Sequence, residues 1–316
     1  MARAPRPRHT GTPSTRWRRR GAAVAAALVL DQLLGEPPNH WHPVVWFGSA
    51  MTAVEDRLWA DRRTAGLAHS AIGVGLGVGA GLVVRSTMVL ATVAVAGREL
   101  DRAALRVDER LRARDLDGAR EAVIALVGRD PSNLDESGLA AAVIESLAEN
   151  SVDAVIAPVV WAVAAGAPGA GAYRAINTMD AMVGHRSERY RRYGWASARL
   201  DDAANLVPAR AFALLVAAAR PARANATWEA IRADAHRHPS PNAGVAEAAV
   251  AGALGLELGG PLRYGDRTEN RPTLGTGRRP EPDDIARAVA LVRRTRVLAA
   301  VLGLALSAVR LPSSTL

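Results

Sequence analysis

The chain has 316 residues and a formal net charge of +9, and its 40 basic residues are all arginine. The absence of lysine excludes a Schiff-base lysine and a Walker A phosphate loop. The absence of cysteine excludes disulfides, thiolate metal sites and a cysteine nucleophile.

Hydrophobic residues make up 49% of the chain but aromatics only 4%, so the apolar mass is mostly Ala, Val and Leu. A mean hydropathy of +0.02 fits a soluble helical protein, or a membrane protein whose charges crowd into its loops. The order along the chain favours the second. Residues 1–20 carry seven arginines and no acid, the pattern of a disordered basic arm. The apolar run Gly21 to Leu30 follows with no small-residue cleavage site. It reads as an uncleaved first helix, with the arm held cytoplasmic.

Ala71 to Gly97 holds one charge, Arg85, and is long enough to cross a bilayer, for which about 20 residues suffice. Its glycines, Gly73, Gly75, Gly77, Gly79 and Gly81, weaken a soluble helix but permit close packing in lipid. Arg98 to Arg129 alternates acids and arginines with Leu and Val at helical spacing, an amphipathic extramembrane helix pair. Gly138 to Ala172 is apolar around a small acidic cluster, Tyr173 to Asp202 is polar and arginine-rich, and Ala203 to Ala219 is apolar again. Pro221 to Pro282 reads as a mixed loop region, and Val297 to Val309 as a last apolar run behind Arg293, Arg294 and Arg296. The expected fold is all-α: a polytopic membrane helical protein with about three to five membrane helices and polar cytoplasmic segments. Residues 21–310 are expected to form a single membrane-embedded helical catalytic domain between the 1–20 arm and a 311–316 tail.

Four constellations carry chemistry. Glu145, Glu149 and Asp153 stack on one helix face at i, i+4 and i+8, with Ser146 and Asn150 beside them. Such like charges repel, and on an apolar helix they also lose hydration, so the stripe requires Mg²⁺, arginine or both. In Tyr173 to Met182, Asn177 and Asp180 are neighbours on a turn, and Gly184-His185-Arg186 follows. In Asp201-Asp202-x-x-Asn205, followed by Arg210, Asp201 and Asn205 share a face. This suits Mg²⁺, which takes one or two carboxylates plus phosphate oxygens, although acidic helix starts also arise from capping. Seven arginines from Arg174 to Arg210 suit bidentate phosphate contacts, while a positive cytoplasmic loop accounts for Arg191 and Arg192. Few aromatics and no nucleic-acid motif argue against a nucleic-acid partner. Ser240-Pro241-Asn242-Ala243-Gly244 makes a tight turn, whose Asn242 either caps the helix carrying Glu247 or grips substrate. His40 and His42, two residues apart, do not share a helix face and make no zinc pair.

Together these segments resemble the adenosylcobinamide-phosphate synthase family of cobalamin biosynthesis, known as CbiB or CobD. The matching stretches are Asp31 to Pro37 with His42-Pro43-Val44, Gly128-Arg129-Asp130 with Leu134-Asp135, and Glu145 to Asp153 with Ala157-Pro158. Tyr173 to Met182, Arg199 to Asp202 with Asn205 and Pro208-Ala209-Arg210, and Ser240 to Gly244 through Gly255 complete them, in family order over residues 28–265. The resemblance implies a multi-pass cell-membrane enzyme with its active face cytoplasmic. The implied reaction joins adenosylcobyric acid to (R)-1-aminopropan-2-ol or its phosphate through an amide bond, an acid–amine ligase reaction using ATP and Mg²⁺. The implied partners are the corrinoid, the amine, membrane lipid and other cobalamin-pathway enzymes.

Glu145, Glu149, Asp153 and Asp180 are the candidate catalytic carboxylates, and Glu149, Asp201 and Asp202 the candidate metal ligands. Arg174, Arg186, Arg199 and Arg210 are candidate clamps for phosphate or propionate. Asn150, Asn177, Asn205 and Asn242 are candidates for hydrogen bonding to corrinoid amides. No nucleotide fold is recognisable in these helices, so ATP use rests on the resemblance. Two other readings remain open. A corrinoid carrier or membrane scaffold would line a path through the midplane, where an enzyme gathers its polar groups at one mouth. A Mg²⁺-dependent prenyl-type transferase would need a second acidic motif facing Asp201-Asp202.

Overall fold

The structure, a computed structural model, describes residues 13–127, 130–185, 187–264, 267–270 and 272–309, with the backbone alone at residues 13, 14, 39 and 261–270. Gly128, Arg129, Arg186, residues 1–12 of the expected arm and the 311–316 tail lie outside the described residues. The chain runs through α1 (Pro13–Leu34), α2 (Pro43–Leu58), α3 (Arg63–Val84), α4 (Thr87–Ala94), α5 (Gly97–Arg112) and α6 (Leu116–Val123). It continues through α7 (Glu136–Ser151), α8 (Ala157–Met179), α9 (Trp195–Ala219), α10 (Ala224–Asp234) and α11 (Ala243–Leu254). A short antiparallel hairpin, β1 (Pro261–Tyr264) and β2 (Arg267–Asn270), precedes α12 (Asp283–Ala308).

The all-α expectation holds, with the hairpin as a minor addition. Among the described residues three helical runs are long and apolar enough to cross a membrane: Arg63–Val84, Glu136–Gly184 and Trp195–Ala219. Three expectations need correction. Residues 13–20, read as part of a disordered arm, are the opening turns of α1, where proline stands at a helix start and arginine and alanine are good helix formers. Ala71 to Gly97 is not one helix. Arg85 takes φ 57° and ends α3, its N–H bonding to the Gly81 carbonyl at 3.0 Å, and the Ser86 hydroxyl accepts the Val89 N–H at 3.3 Å to start α4. Pro221 to Pro282, read as a mixed loop region with a helix around Glu247, contains two helices, α10 and α11. Every residue of α11 is buried, so its alanines and glycines reflect close packing.

The α3 glycines divide by spacing. A Cβ at Gly77 would lie 2.4 Å from the Gly171 carbonyl oxygen, and one at Gly81 would lie 2.4 Å from Pro168, so Gly73, Gly77 and Gly81 form the seam against α8. Gly75 and Gly79 meet nothing within 4 Å. Gly77→Leu is therefore expected to forbid the α3–α8 approach and abolish recovery of monodisperse protein, overpacking alone costing about 1–3 kcal/mol. Gly79→Leu should be recovered like wild type, and equal recovery of both variants would refute the seam.

The Gly166 backbone (φ 70°, ψ −149°) breaks α8. Arg20 of α1 crosses to donate to the freed carbonyls of Val163 and Ala164 at 3.2 and 2.7 Å, the place where a helix end favours a cation. Pro168 opens the second half of α8. The core joins α1, α7, α9, α11 and α12 through Leu28, Ile144, Leu147, Phe212, Val250 and Val289. Two buried carboxylates tie the outer helices to α5. Asp31 accepts the Arg98 N–H at 3.1 Å, and Asp101 receives Arg293 and Arg296 of α12.

Candidate functional site

Four segments far apart in sequence meet at one end of α7. The helix turns wide over Val152–Ile156, a π-helical turn that carries Asp153, and a second π-helical turn at Asp180–Gly184 carries Asp180. Such turns alter the register of the side chains that follow and recur at functional sites. Between α7, α9 and the start of α11 lies a small cleft of about 30 Å³. Glu149, Asp153, Asp201, Asn205, Ser240 and Asn242 line it. Room on that scale suits an ion or one or two ligand oxygens.

Hydrogen bonds orient these groups. Asn205 donates to one oxygen of Asp201 at 2.9 Å and accepts from the Tyr173 hydroxyl at 2.9 Å. Asn177 donates to the other Asp201 oxygen at 3.4 Å. Asn242 donates to the Asp202 carbonyl at 2.7 Å and accepts from Arg210 at 2.9 Å. The Ser240 hydroxyl accepts the N–H groups of Asn242 and Ala243, so Ser240 caps α11 and leaves the Asn242 side chain to bridge Asp202 and Arg210 at the cleft wall. Asp153 lies within electrostatic range of Asp201, Glu149 and Asp180, and Asp180 within range of Asp202 as well. Like charges gathered this way favour a bound cation. Among the described residues no three acidic or histidine side chains form a ready-made chelate, so an ion there would need ligand oxygens to complete its shell.

Arg174 extends the site to the N-terminal motif. Its guanidinium donates to Asn177 at 3.5 Å and interacts with both Asp153 and Glu36. Its Nε is buried with no hydrogen-bond partner among the described residues, a donor left for a ligand oxygen. Glu36 also lies 3.8 Å from His42 Nε2. His42 Nδ1 accepts the Val44 N–H at 3.2 Å and caps α2, and burial holds the ring below its usual range despite Glu36.

The sequence candidates therefore separate. Glu149, Asp153, Asp201, Asn205 and Asn242 line the cleft, while Asp180, Arg174, Asn177 and Arg210 stand around it. Asp202 borders it through its carbonyl, and its carboxylate lies 3.7 Å from Arg199. The stacked stripe is broken. Glu145 is buried and accepts the Gly259 N–H at 2.8 Å, while Glu149 is exposed. Asn150 folds back on Ser146, donating to its carbonyl and hydroxyl oxygens at 3.0 Å each. Asn205 is engaged at both ends, so it holds Asp201 instead of meeting a ligand. Arg199 lies against α3, away from the cleft. Tyr173 and Ser240 were missed as site residues. The signal for Tyr173 was present, since Tyr173, Asn177 and Asp180 recur at i, i+4 and i+7.

The sequence pattern of the family described as CobD/Cbib protein matches residues 24–292. The chain belongs to this family. The match runs past both ends of the stretch recognised from motifs alone and takes in most of the described helices. Among relatives in the CobD/Cbib family, "Cobalamin biosynthesis protein CobD" of Mycobacterium tuberculosis is 44% identical over 307 residues, 92% of this chain and 96% of that protein. The protein of the same name from Rhodobacter capsulatus is 44% identical over 293 residues, 86% of this chain and 93% of its own. That of Chromobacterium violaceum is 43% identical over 296 residues, 88% and 94%. No solved structure matches the chain.

Proposed function

We propose that this protein acts in cobalamin biosynthesis as an adenosylcobinamide-phosphate synthase. In this reading it joins adenosylcobyric acid to (R)-1-aminopropan-2-ol or its phosphate through an amide bond, with ATP and Mg²⁺. The observation that carries the reading is family membership across residues 24–292, together with the meeting of Glu149, Asp153, Asp201 and Asn242 in one cleft. A carboxylate resists attack by an amine until its oxygen becomes a leaving group, and phosphoryl transfer supplies one. Glu149 and Asp201 are hard oxygen donors that fit Mg²⁺, which when bound neutralises charge on phosphate oxygens. Asn205 and Asn177 hold the Asp201 carboxylate toward the ion. Arg174, through its unpartnered Nε, clamps an anionic group of the substrate, and Asn242 holds Arg210 at the cleft wall. Asp153 accepts the proton released by the amine.

Gathering of the acids at one cleft supports an enzyme over a carrier, whose polar groups would follow a path. The facing of Glu149 and Asp153 toward Asp201 is also what a Mg²⁺-dependent prenyl-type transferase would need, and that is the second reading. One assay separates them: purified protein with adenosylcobyric acid, aminopropanol phosphate, ATP and Mg²⁺, with products resolved by mass. Amide product dependent on ATP and Mg²⁺ is expected, and its absence would sink the proposal.

The reading also places the arm before Gly21 and the Tyr173–Asp202 segment on the cytoplasmic side, where ATP is and where arginine is favoured. Because the native chain has no cysteine, Arg191→Cys is a single reporter. It is expected to react with a membrane-impermeant maleimide only after cell lysis, and labelling in intact spheroplasts would reverse the topology.

A further inference from the structure

A second concavity lies away from the acidic cleft, between α3 and α9. It measures about 620 Å³, within the range of about 300–1,000 Å³ usual for ligand pockets. Its walls are apolar, with Leu67, Val74 and Gly75 on α3 facing Trp195 and Leu200 on α9. The two helices are held together at one end, where Gly66 backs onto the Tyr193 carbonyl and the hydroxyls of Ser70 and Ser197 meet at 3.0 Å. They part further along, beside Gly75, where an added Cβ would meet nothing within 4 Å among the described residues. Both helices are long and apolar enough to cross a membrane, so this hollow opens on a face that lipid would cover.

Charge marks the closed end. The Arg63 guanidinium stacks over the Trp195 ring at 4.9 Å, and among the described residues it has no carboxylate within ion-pair distance. Arg199 borders the same hollow, its side chain 68% exposed and paired only loosely with Asp202 at 3.7 Å. A tryptophan with arginines at the start of two apolar helices is the arrangement found at the edge of a bilayer. An apolar slot bordered by exposed guanidinium groups, one of them without a carboxylate partner among the described residues, complements one molecule in both halves: an acyl chain carrying an anionic phosphodiester.

We propose that the α3–α9 groove is a binding site for an anionic phospholipid, with an acyl chain lying along Gly75 and the headgroup phosphate held by Arg63 and Arg199. The site is independent of the catalytic reading and needs only that α3 and α9 lie in a membrane. Gly75→Leu sets its Cβ in open space and fills the slot from there. Arg63→Ala removes one phosphate donor and leaves the slot open. Gly79→Leu changes the same helix face outside the slot and serves as the control.

The full chain, purified in neutral detergent, is titrated with palmitoyl-oleoyl phosphatidylglycerol or with the matched phosphatidylcholine, and bound lipid is counted by native mass spectrometry. Wild type should retain phosphatidylglycerol in preference to phosphatidylcholine, and Arg63→Ala should weaken that preference about fivefold, the effect of one arginine near a lipid phosphate. Gly75→Leu should lose retention of both lipids, and Gly79→Leu should match wild type. Equal retention of the two lipids by wild type, or unchanged retention in Gly75→Leu, would overturn the proposal. So would a disulfide-linked dimer of Gly75→Cys formed in bilayers, because the groove would then belong to a second copy of the chain.

Discussion

Glu149→Gln is expected to reach the membrane at wild-type levels and to lose cobinamide-phosphate formation by at least about a hundredfold. Glu149 is exposed at the cleft, within electrostatic range of Asp153 and Asp180, so removing its charge relieves repulsion and leaves folding intact. Glutamine keeps the volume and most of the hydrogen bonding. In the proposed synthase reading, what it takes away is one negative group near a bound Mg²⁺ and the phosphate oxygens. Losing a well-placed electrostatic contact of this kind costs about 2.7–4 kcal/mol, or roughly 10²–10³ in rate. Raised Mg²⁺ should recover part of the loss by refilling a weakened site. Glu145→Gln is the paired control. Its buried carboxylate accepts the Gly259 N–H, a bond that a glutamine oxygen can still accept, so turnover should stay near wild type. Near-wild-type turnover in Glu149→Gln would remove Glu149 from the site and leave the acidic cleft without its catalytic reading.

The contrast between Glu145 and Glu149 also marks where sequence reasoning stops. Spacing of i, i+4 and i+8 puts three acids on one face only if the helix is regular to its end. The wide turn at Val152–Ile156 carries Asp153 into the cleft, while the loop at Gly259, far away in sequence, takes Glu145. Nothing local announces either event. The all-α class and the apolar runs were legible because charge segregation and hydropathy act over whole segments. The α3 glycines were legible as a packing device but not as a seam, because alternate glycines belong to opposite faces and only α8 decides which face matters. Helix α11 was legible around Glu247, but its burial on every side was not, since alanine and glycine do not show what packs against them. Within the site, Asp201 and Asn205 were readable as a pair because one helix turn joins them. Ser240 as the α11 cap and Arg174 as the link to Glu36 depend on tertiary contacts. The same limit applies to Arg293 and Arg296, which in sequence only flank an apolar run.

Arg296→Met is expected to destabilise the protein by about 3–5 kcal/mol. Arg296 and Asp101 are 5% and 2% exposed, and the guanidinium reaches both carboxylate oxygens at 2.6 and 2.5 Å and the Gly97 carbonyl at 2.6 Å. The pair links α12 to α5 with little water to screen it. Removing the arginine strands a carboxylate whose remaining cation, Arg293 at 2.7 Å, is half exposed and so a weaker partner. The cost is that of an uncompensated buried charge, so it should fall when the charge also goes. Asp101→Leu with Arg296→Met is therefore expected to recover most of the stability lost by Arg296→Met alone, short of full recovery because the Gly97 carbonyl loses its donor. Thermal unfolding of the detergent-solubilised protein measures all three variants. A double variant as unstable as the sum of its single changes would mean that the two residues are not coupled, and that α12 is held to α5 by the apolar contacts of Ile285, Val289 and Val292 instead.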